Sequence, residues 1–417
     1  MKTLTLLLLL TLGVLNTSGQ NKGGAATGDH YVINLDRARK TEKMTYSSLF
    51  SKAGIIVLED TDESLLGRID KIEFLDNNLY VLEENRGLFM FNKQGKFIKM
   101  IGSKGGGPGE YVGLNDMSVD AENKKIYLLD GQSQKILRYS SNGNYEKDFK
   151  LENKGTRTSH IQYFNGKVYT DLYAFDKSRN RFLLSEVDIN TGKRISFLLN
   201  AAQYNKNWNE LFFTDQHTFI AQPGRSPKFM QIFMDTIFEI TPKGVQTYIT
   251  LQSKNLLTKE YLDSQMANVD VSAPTYLSKV YMGLSKTNKI YNLLDYWETD
   301  KYIHFSYTVD LHGYHVFYWK DENITYVAQG IANDLLYTEK VGTSLIPKFL
   351  SCDKDRLYCV GMNSSFTRDI FFDNIKRGGI NSHIEGADKL RTLTDDSNPI
   401  IIYYEFKKIG MEQVYPI

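Results

Sequence analysis

Four glycines recur at nearly one interval, Gly95, Gly143, Gly192 and Gly244, separated by 48, 49 and 52 residues. Each follows a short apolar run and a polar turn, and each is followed by another apolar run. The turns read Phe91-Asn92-Lys93-Gln94-Gly95, Tyr139-Ser140-Ser141-Asn142-Gly143, Ile189-Asn190-Thr191-Gly192 and Ile240-Thr241-Pro242-Lys243-Gly244. A fifth copy, Trp319-Lys320-Asp321-Glu322-Asn323, carries Asn where the others carry Gly. Asn is the other residue that tolerates the left-handed backbone such hairpins need. Strand-built repeats of this length predict a β-propeller.

A second signal precedes the turns, an apolar–aromatic pair on a strand: Leu79-Tyr80, Ile126-Tyr127, Val168-Tyr169, Thr218-Phe219, Tyr302-Ile303 and Leu357-Tyr358. Six copies predict six blades, each pair on the second of four strands. The intervals are 47, 42, 50, 84 and 55 residues. The long one contains 255–294, where Leu256-Leu257-Thr258-Lys259-Glu260-Tyr261-Leu262 has a helical pattern, so a helical insertion is expected between blades four and five. A loop-rich insertion, 362–398, is expected in the last blade. An open ring would leave two sheet edges unpaired. The apolar strands at 54–60 and 399–407 are therefore expected to pair and close the last blade. The predicted organisation is a signal peptide at 1–19, an extended lead-in at 20–53, an all-β propeller at 54–410 and a tail at 411–417.

The leader reading rests on Lys2 before an almost wholly apolar run, Leu4 to Leu15, followed by Thr17, Ser18 and Gly19. That run is shorter than the ~20 residues a bilayer span needs. No Cys lies near the cleavage region, so an exported chain without a lipid anchor is expected, in the periplasm or outside the cell. With 50 basic and 49 acidic residues and no block of like charge, nucleic acid gains no support as a partner. Cys352 and Cys359 flank a probable hairpin turn. A four-residue loop pairs Cys352 with Leu357, which favours two ordinary buried thiols over a disulfide. The 27 Tyr and 23 Phe suit packing within and between sheets.

The stretch 96–145, with Ile101-Gly102-Ser103-Lys104-Gly105-Gly106-Gly107-Pro108-Gly109-Glu110-Tyr111 and Lys125-Ile126-Tyr127-Leu128-Leu129-Asp130, resembles NHL-repeat propellers. More closely, it is similar to the exported six-bladed propellers of Bacteroidetes-type bacteria, most of which have no assigned function. Asp235-Thr236-Ile237-Phe238-Glu239-Ile240-Thr241, and Asn398-Pro399 followed by an apolar strand and Lys407, fit the same family. The resemblance covers about 54–410. It implies a binding or scaffold protein and supplies no catalytic residues.

The glycine-rich segment 102–109 lacks the Gly-Lys-Ser/Thr and following helix of a phosphate loop, so it reads as a connector between blades. Outer-to-inner connectors and second-to-third-strand loops share one face of a propeller. The ligand-binding rim expected there comprises Arg86, Glu110, Tyr111, Asp130, Gln132, Arg225, His312 and Arg377. A second hypothesis places Asp70, Asp116, His160, Glu210 and Asp295, with Lys348, at one mouth of the central channel, where carboxylates would suit Ca²⁺. A one-residue slip would turn any of them away, and a hydrated channel is the competing reading. His304, His312 and His315 would need to converge to hold zinc, and their aromatic neighbours argue for a packed blade surface.

The leading reading is a non-enzymatic exported propeller, monomeric, binding a protein, glycan or small molecule through loops on one face. The alternatives are a metal-dependent lactonase or lyase with a cation on the axis, and a component of a cell-surface assembly.

Overall fold

The structure is a computed structural model that describes residues 30–408 apart from 43, 153–154, 175–181, 209–217, 268, 270–274 and 339–347. The leader and the C-terminal tail expected from the sequence lie outside the described residues.

Six antiparallel sheets form the predicted six-bladed propeller. Blade one is the most regular, with strands Lys71–Leu75, Asn78–Glu83, Gly87–Asn92 and Phe97–Ile101 in sequential order. Blade two repeats it with Leu114–Asp120, Lys125–Asp130, Lys135–Ser140 and Tyr145–Lys150. Blade three holds Ile161–Phe164, Lys167–Asp171, Phe182–Val187 and Arg194–Asn200. Blade four holds Phe219–Ile220, Lys228–Phe229, Thr236–Thr241 and Gly244–Gln252. Blade five holds Tyr291–Glu298, Tyr302–Val309, His312–Trp319 and Ile324–Ala328. Blade six takes Lys348–Cys352, Arg356–Gly361 and Ile400–Phe406 from the C-terminal part of the chain, and its outermost strand, Phe50–Ile56, from the N-terminal part. That last pair runs antiparallel, with Ile55 opposite Ile402 and Gly54 opposite Tyr403.

The repeated glycines work by close approach as well as by backbone angle. Gly192 has φ +73°, and a Cβ there would lie 2.0 Å from the Lys150 carbonyl oxygen of the preceding blade. Gly95 stands in the same relation to Val57, at 2.1 Å. Asn323, the variant copy, takes φ +54°. The turns at Gly95, Gly143 and Gly192 therefore dock their blades on the outer edge of the one before, whereas a Cβ on Gly244 would meet nothing within 4 Å. Seven apolar clusters form the core, and six of them each span one blade–blade interface. The cluster joining Val360, Ile401 and Tyr403 to Leu79, Val81 and Phe89 closes the circle between blades six and one.

Two departures from the sequence reading matter. Thr218-Phe219 belongs to the innermost strand of blade four, because the true second strand, Lys228–Phe229, is only two residues long and carries no signature. The segment before blade six is not a loose lead-in. Tyr31–Asn34 adds a parallel fifth strand to blade four, and Arg39–Thr41 adds one to blade five. This belt covers two sheet edges before supplying the outer strand of blade six.

The insertion before blade five carries helices Lys259–Met266 and Tyr276–Leu284, the first capped by the Thr258 hydroxyl. The insertion in blade six holds more regular structure than a loop. Its helix, Ser365–Lys376, starts at a capping box formed by Ser364 and Thr367. Cys352 and Cys359 are buried free thiols, and Cys352 faces Leu357.

Candidate functional site on the connector face

A four-stranded meander places its first and third turns at one end and its second turn, with the exit to the next blade, at the other. The long segments 102–113, 253–267, 275–290, 329–338 and 362–399 are all of the second kind and decorate one face. Arg86, Glu110, Gln132, His312 and Arg377 lie on this face, as the strand order requires. Arg225 does not. It sits in the first turn of blade four, on the opposite face, where it pairs with Asp300 in the corresponding turn of blade five. The misplaced second strand of blade four explains that correction.

Several rim residues serve the turns themselves. Asp130 is fully buried and accepts N–H groups of Val112 at 2.8 Å, Gln132 at 3.1 Å and Ser133 at 3.1 Å. Burial alone would raise its pKa, but these bonds to the charged form outweigh it and hold the carboxyl below its ordinary value. Tyr111 is buried in the interface between blades one and two. Glu110 folds back to accept from the Gly107 N–H at 2.8 Å. A Cβ on Gly105 would meet the same carboxylate at 2.1 Å, so the glycine-rich connector cradles its own Glu. Arg86 donates to the Leu65 carbonyl, and His312 contacts the Asp310 carbonyl at 2.6 Å. Gln132 and Arg377 are exposed, Arg377 at the C-terminal cap of the blade-six helix.

On the axis, Asp70, Asp116, His160 and Glu84 come close enough for their charges to interact. Their oxygens are largely taken up within the protein. Asp116 receives Lys71 Nζ at 2.8 Å from blade one and the Ile161 N–H at 2.8 Å from blade three. Asp70 receives Arg68 Nε at 2.7 Å and the Glu84 N–H at 2.8 Å. His160 Nδ1 lies 2.6 Å from Asp171 Oδ2. Burial disfavours the imidazolium, but Asp171 outweighs burial and lifts the His160 pKa. Asp295 departs from the expected ring, because a bulged strand turns it into the gap between blades five and six. Glu210 lies outside the described residues. Among the described residues, no three His, Cys, Asp or Glu side chains form a group able to hold a metal ion. Between Ile72, Ile220 and Leu350, on the inner strands of blades one, four and six, lies a cavity of about 20 Å³, near the size of one water.

A groove of about 870 Å³ lies where the connector entering blade six meets the blade-six insertion. Thr338 N–H donates to the Gly379 carbonyl at 2.8 Å, and Asn381 N–H to Leu336 at 2.9 Å, so two long segments brace one another. Tyr337, Ile380 and Leu390 form its apolar floor, and the exposed Ser382, His383, Asp388 and Arg391 offer polar groups along it. Sequence reasoning placed the insertion on this face but missed the groove, since its opposite wall, 332–338, carries no motif.

Fold and face together define a six-bladed β-propeller elaborated on one side. The chain belongs to the family described as a domain of unknown function, DUF4934, whose profile matches residues 30–405. No curated protein matches it. Among solved structures it is similar to a candidate exported protein of Bacteroides fragilis, with 19% identity, 90% of this chain and 100% of the other covered, and a TM-score of 0.67. It is also similar to a member of the DUF4221 family from Bacteroides vulgatus, with 9% identity, coverage of 86% and 97%, and a TM-score of 0.46. The first likeness shows the shared propeller fold. No helix among the described residues is long and apolar enough to cross a membrane.

Proposed function

We propose that this protein is an exported, non-enzymatic scaffold that binds a polyhydroxylated ligand, such as an oligosaccharide, on the connector face. The observation that carries the reading is the groove of about 870 Å³ between 332–338 and 375–391. Small ligands favour concave sites with an apolar floor and a few polar groups, and loops on a rigid frame vary at little cost to folding. Tyr337 and Ile380 offer such a floor, while Ser382, Asp388 and Arg391 suit hydroxyls better than a strongly charged partner.

The test is equilibrium binding of labelled maltoheptaose, xylohexaose and chitopentaose to the full chain. At least one should bind with a Kd of about 1 mM or tighter, and Arg391→Ala and Ser382→Ala should each weaken it about tenfold. Failure of all three to bind, or binding indifferent to both substitutions, would overturn the reading.

A further inference from the structure

A second pocket, of about 360 Å³, lies between blades five and six. Its size falls within the range of small-molecule pockets, roughly 300–1,000 Å³. Tyr46, Trp297 and Phe349 supply aromatic wall, and Asp295, Ser306, His315 and Lys348 supply polar groups. Two register shifts in the strand Tyr291–Glu298 produce it, with Asn292 at φ +59° and Asp295 at φ +51°. Left-handed backbone at non-glycine residues inside a strand is uncommon and clusters where side chains are re-aimed.

The hydrogen-bond chain behind the wall fixes what the cavity presents. His304 is fully buried and stacks on Trp297, with ring centroids 3.4 Å apart. Its Nδ1 lies 2.8 Å from the Asp295 carbonyl oxygen, and its Nε2 lies 3.0 Å from His315 Nδ1. Burial holds His304 well below its ordinary pKa and His315 at about 4, so both rings are neutral near pH 7 and each carries one proton. A carbonyl can only accept, so the His304 proton is on Nδ1 and its Nε2 is a lone pair. His315 must then donate from Nδ1, which leaves its own Nε2 as an acceptor. His315 lines the cavity, while His304 stands behind it.

Asp295 accepts from the Ser306 hydroxyl at 2.9 Å. Burial raises its pKa, and the Ser306 bond and the charge of Lys348 offset that only in part. The polar end therefore offers one neutral acceptor beside a carboxyl group whose charge burial disfavours. We infer that this cavity is a binding site for a neutral small molecule with a flat aromatic or alicyclic body and one O–H or N–H group, which donates to His315 Nε2. It is separate from the groove on the connector face, and its ligand owes nothing to the oligosaccharide reading.

The probes are two matched pairs, indole with 1-methylindole and p-cresol with 4-methylanisole, in which a methyl group replaces the donor hydrogen; the His315→Phe comparison separates loss of the donor from the added bulk. Calorimetry on the full chain should show indole and p-cresol binding at least about tenfold tighter than their methylated partners, because a methylated ligand leaves the histidine acceptor unsatisfied. His315→Phe should erase that discrimination. In wild-type protein, ¹⁵N imidazole spectra should show both rings protonated at Nδ1, with His315 Nε2 alone shifting on addition of indole. That readout stands even where the variant fails to fold. The inference is overturned if no probe binds at about 10 mM, if parent and methylated probes bind equally, or if His315 carries its proton on Nε2.

Discussion

Blades one to three and blades four to six are built on one plan but used differently. The first three have four strands each, linked by connectors without helices among the described residues. The last three carry the N-terminal belt, both helical insertions, the groove and the pocket between blades five and six. The belted half also holds a buried ion network. Glu298 meets Lys320 at 2.7 Å, Lys228 at 3.1 Å and the Tyr248 hydroxyl at 2.7 Å, locking blade four to blade five. In the plain half, the corresponding polar links gather near the axis, where Lys71, Asp116 and the Ile161 N–H tie three blades together. Both halves contain single bulges. The second half also accepts long insertions and a strand shifted twice, Tyr291–Glu298, because added strands and ion pairs hold its outer edges.

The largest expected effect comes from removing the belt. A chain lacking residues 30–56 loses the fourth strand of blade six and the edge cover of blades four and five. It should show no cooperative thermal transition by circular dichroism. A sharp transition in the shortened chain would show that the belted half stands without its belt.

Glu298→Gln comes next. It removes the carboxylate shared by the buried Lys228, which keeps only the Glu239 carboxylate, and the half-buried Lys320, and should cost about 2–4 kcal/mol in urea unfolding. Burial alone would raise the Glu298 pKa, but the two lysines outweigh it and hold it at about 2. A carboxylate whose folded pKa lies below its unfolded value stabilises in full above the unfolded value. Its contribution is then lost as pH falls through the folded one. Wild-type stability should therefore decline between about pH 4.5 and pH 2, and Glu298→Gln should flatten part of that decline.

A matched pair of truncations compares the halves directly. Ile33→Ala, at a fully buried belt position, should cost about 2–4 kcal/mol. Ile195→Ala, on the bare outer strand of blade three and 59% exposed, should change stability by no more than about 0.5 kcal/mol. Equal costs would erase the distinction between covered and open edges. The smallest effect is expected from metal removal. The Asp116 oxygens already hold Lys71 and a backbone N–H, so EDTA should move the melting temperature by less than about 1 °C.

The plain half was the legible half. Gly95, Gly143 and Gly192 announce their hairpins because a left-handed turn pressed against a neighbouring blade leaves few choices of residue. Blade four was mis-registered because a two-residue second strand leaves no alternation to read. The belt was hidden for a different reason. Tyr31–Asn34 pairs in parallel with a strand more than 200 residues away, and no local turn marks such a partner. Asp70, Asp116 and His160 were visible as polar residues near the inner strands, but the side chains that occupy them were not: Arg68 sits two residues before Asp70, Asp171 on the next strand of blade three, and Lys71 on a different blade from Asp116. Asn292 and Asp295 are residue types that tolerate left-handed backbone, but a lone Asn or Asp in an aromatic strand does not announce the bulges that open the pocket between blades five and six.

Hydrogen exchange followed residue by residue on the full chain tests the closed, two-natured ring most directly. The amides of Ile400–Phe406, paired on both sides, should exchange as slowly as those of Asn78–Glu83 in blade one, while the insertion at 365–391 exchanges earlier. Fast exchange across Ile400–Phe406, with blade one still protected, would contradict it: the circle would then be open at the seam where the two ends of the chain meet.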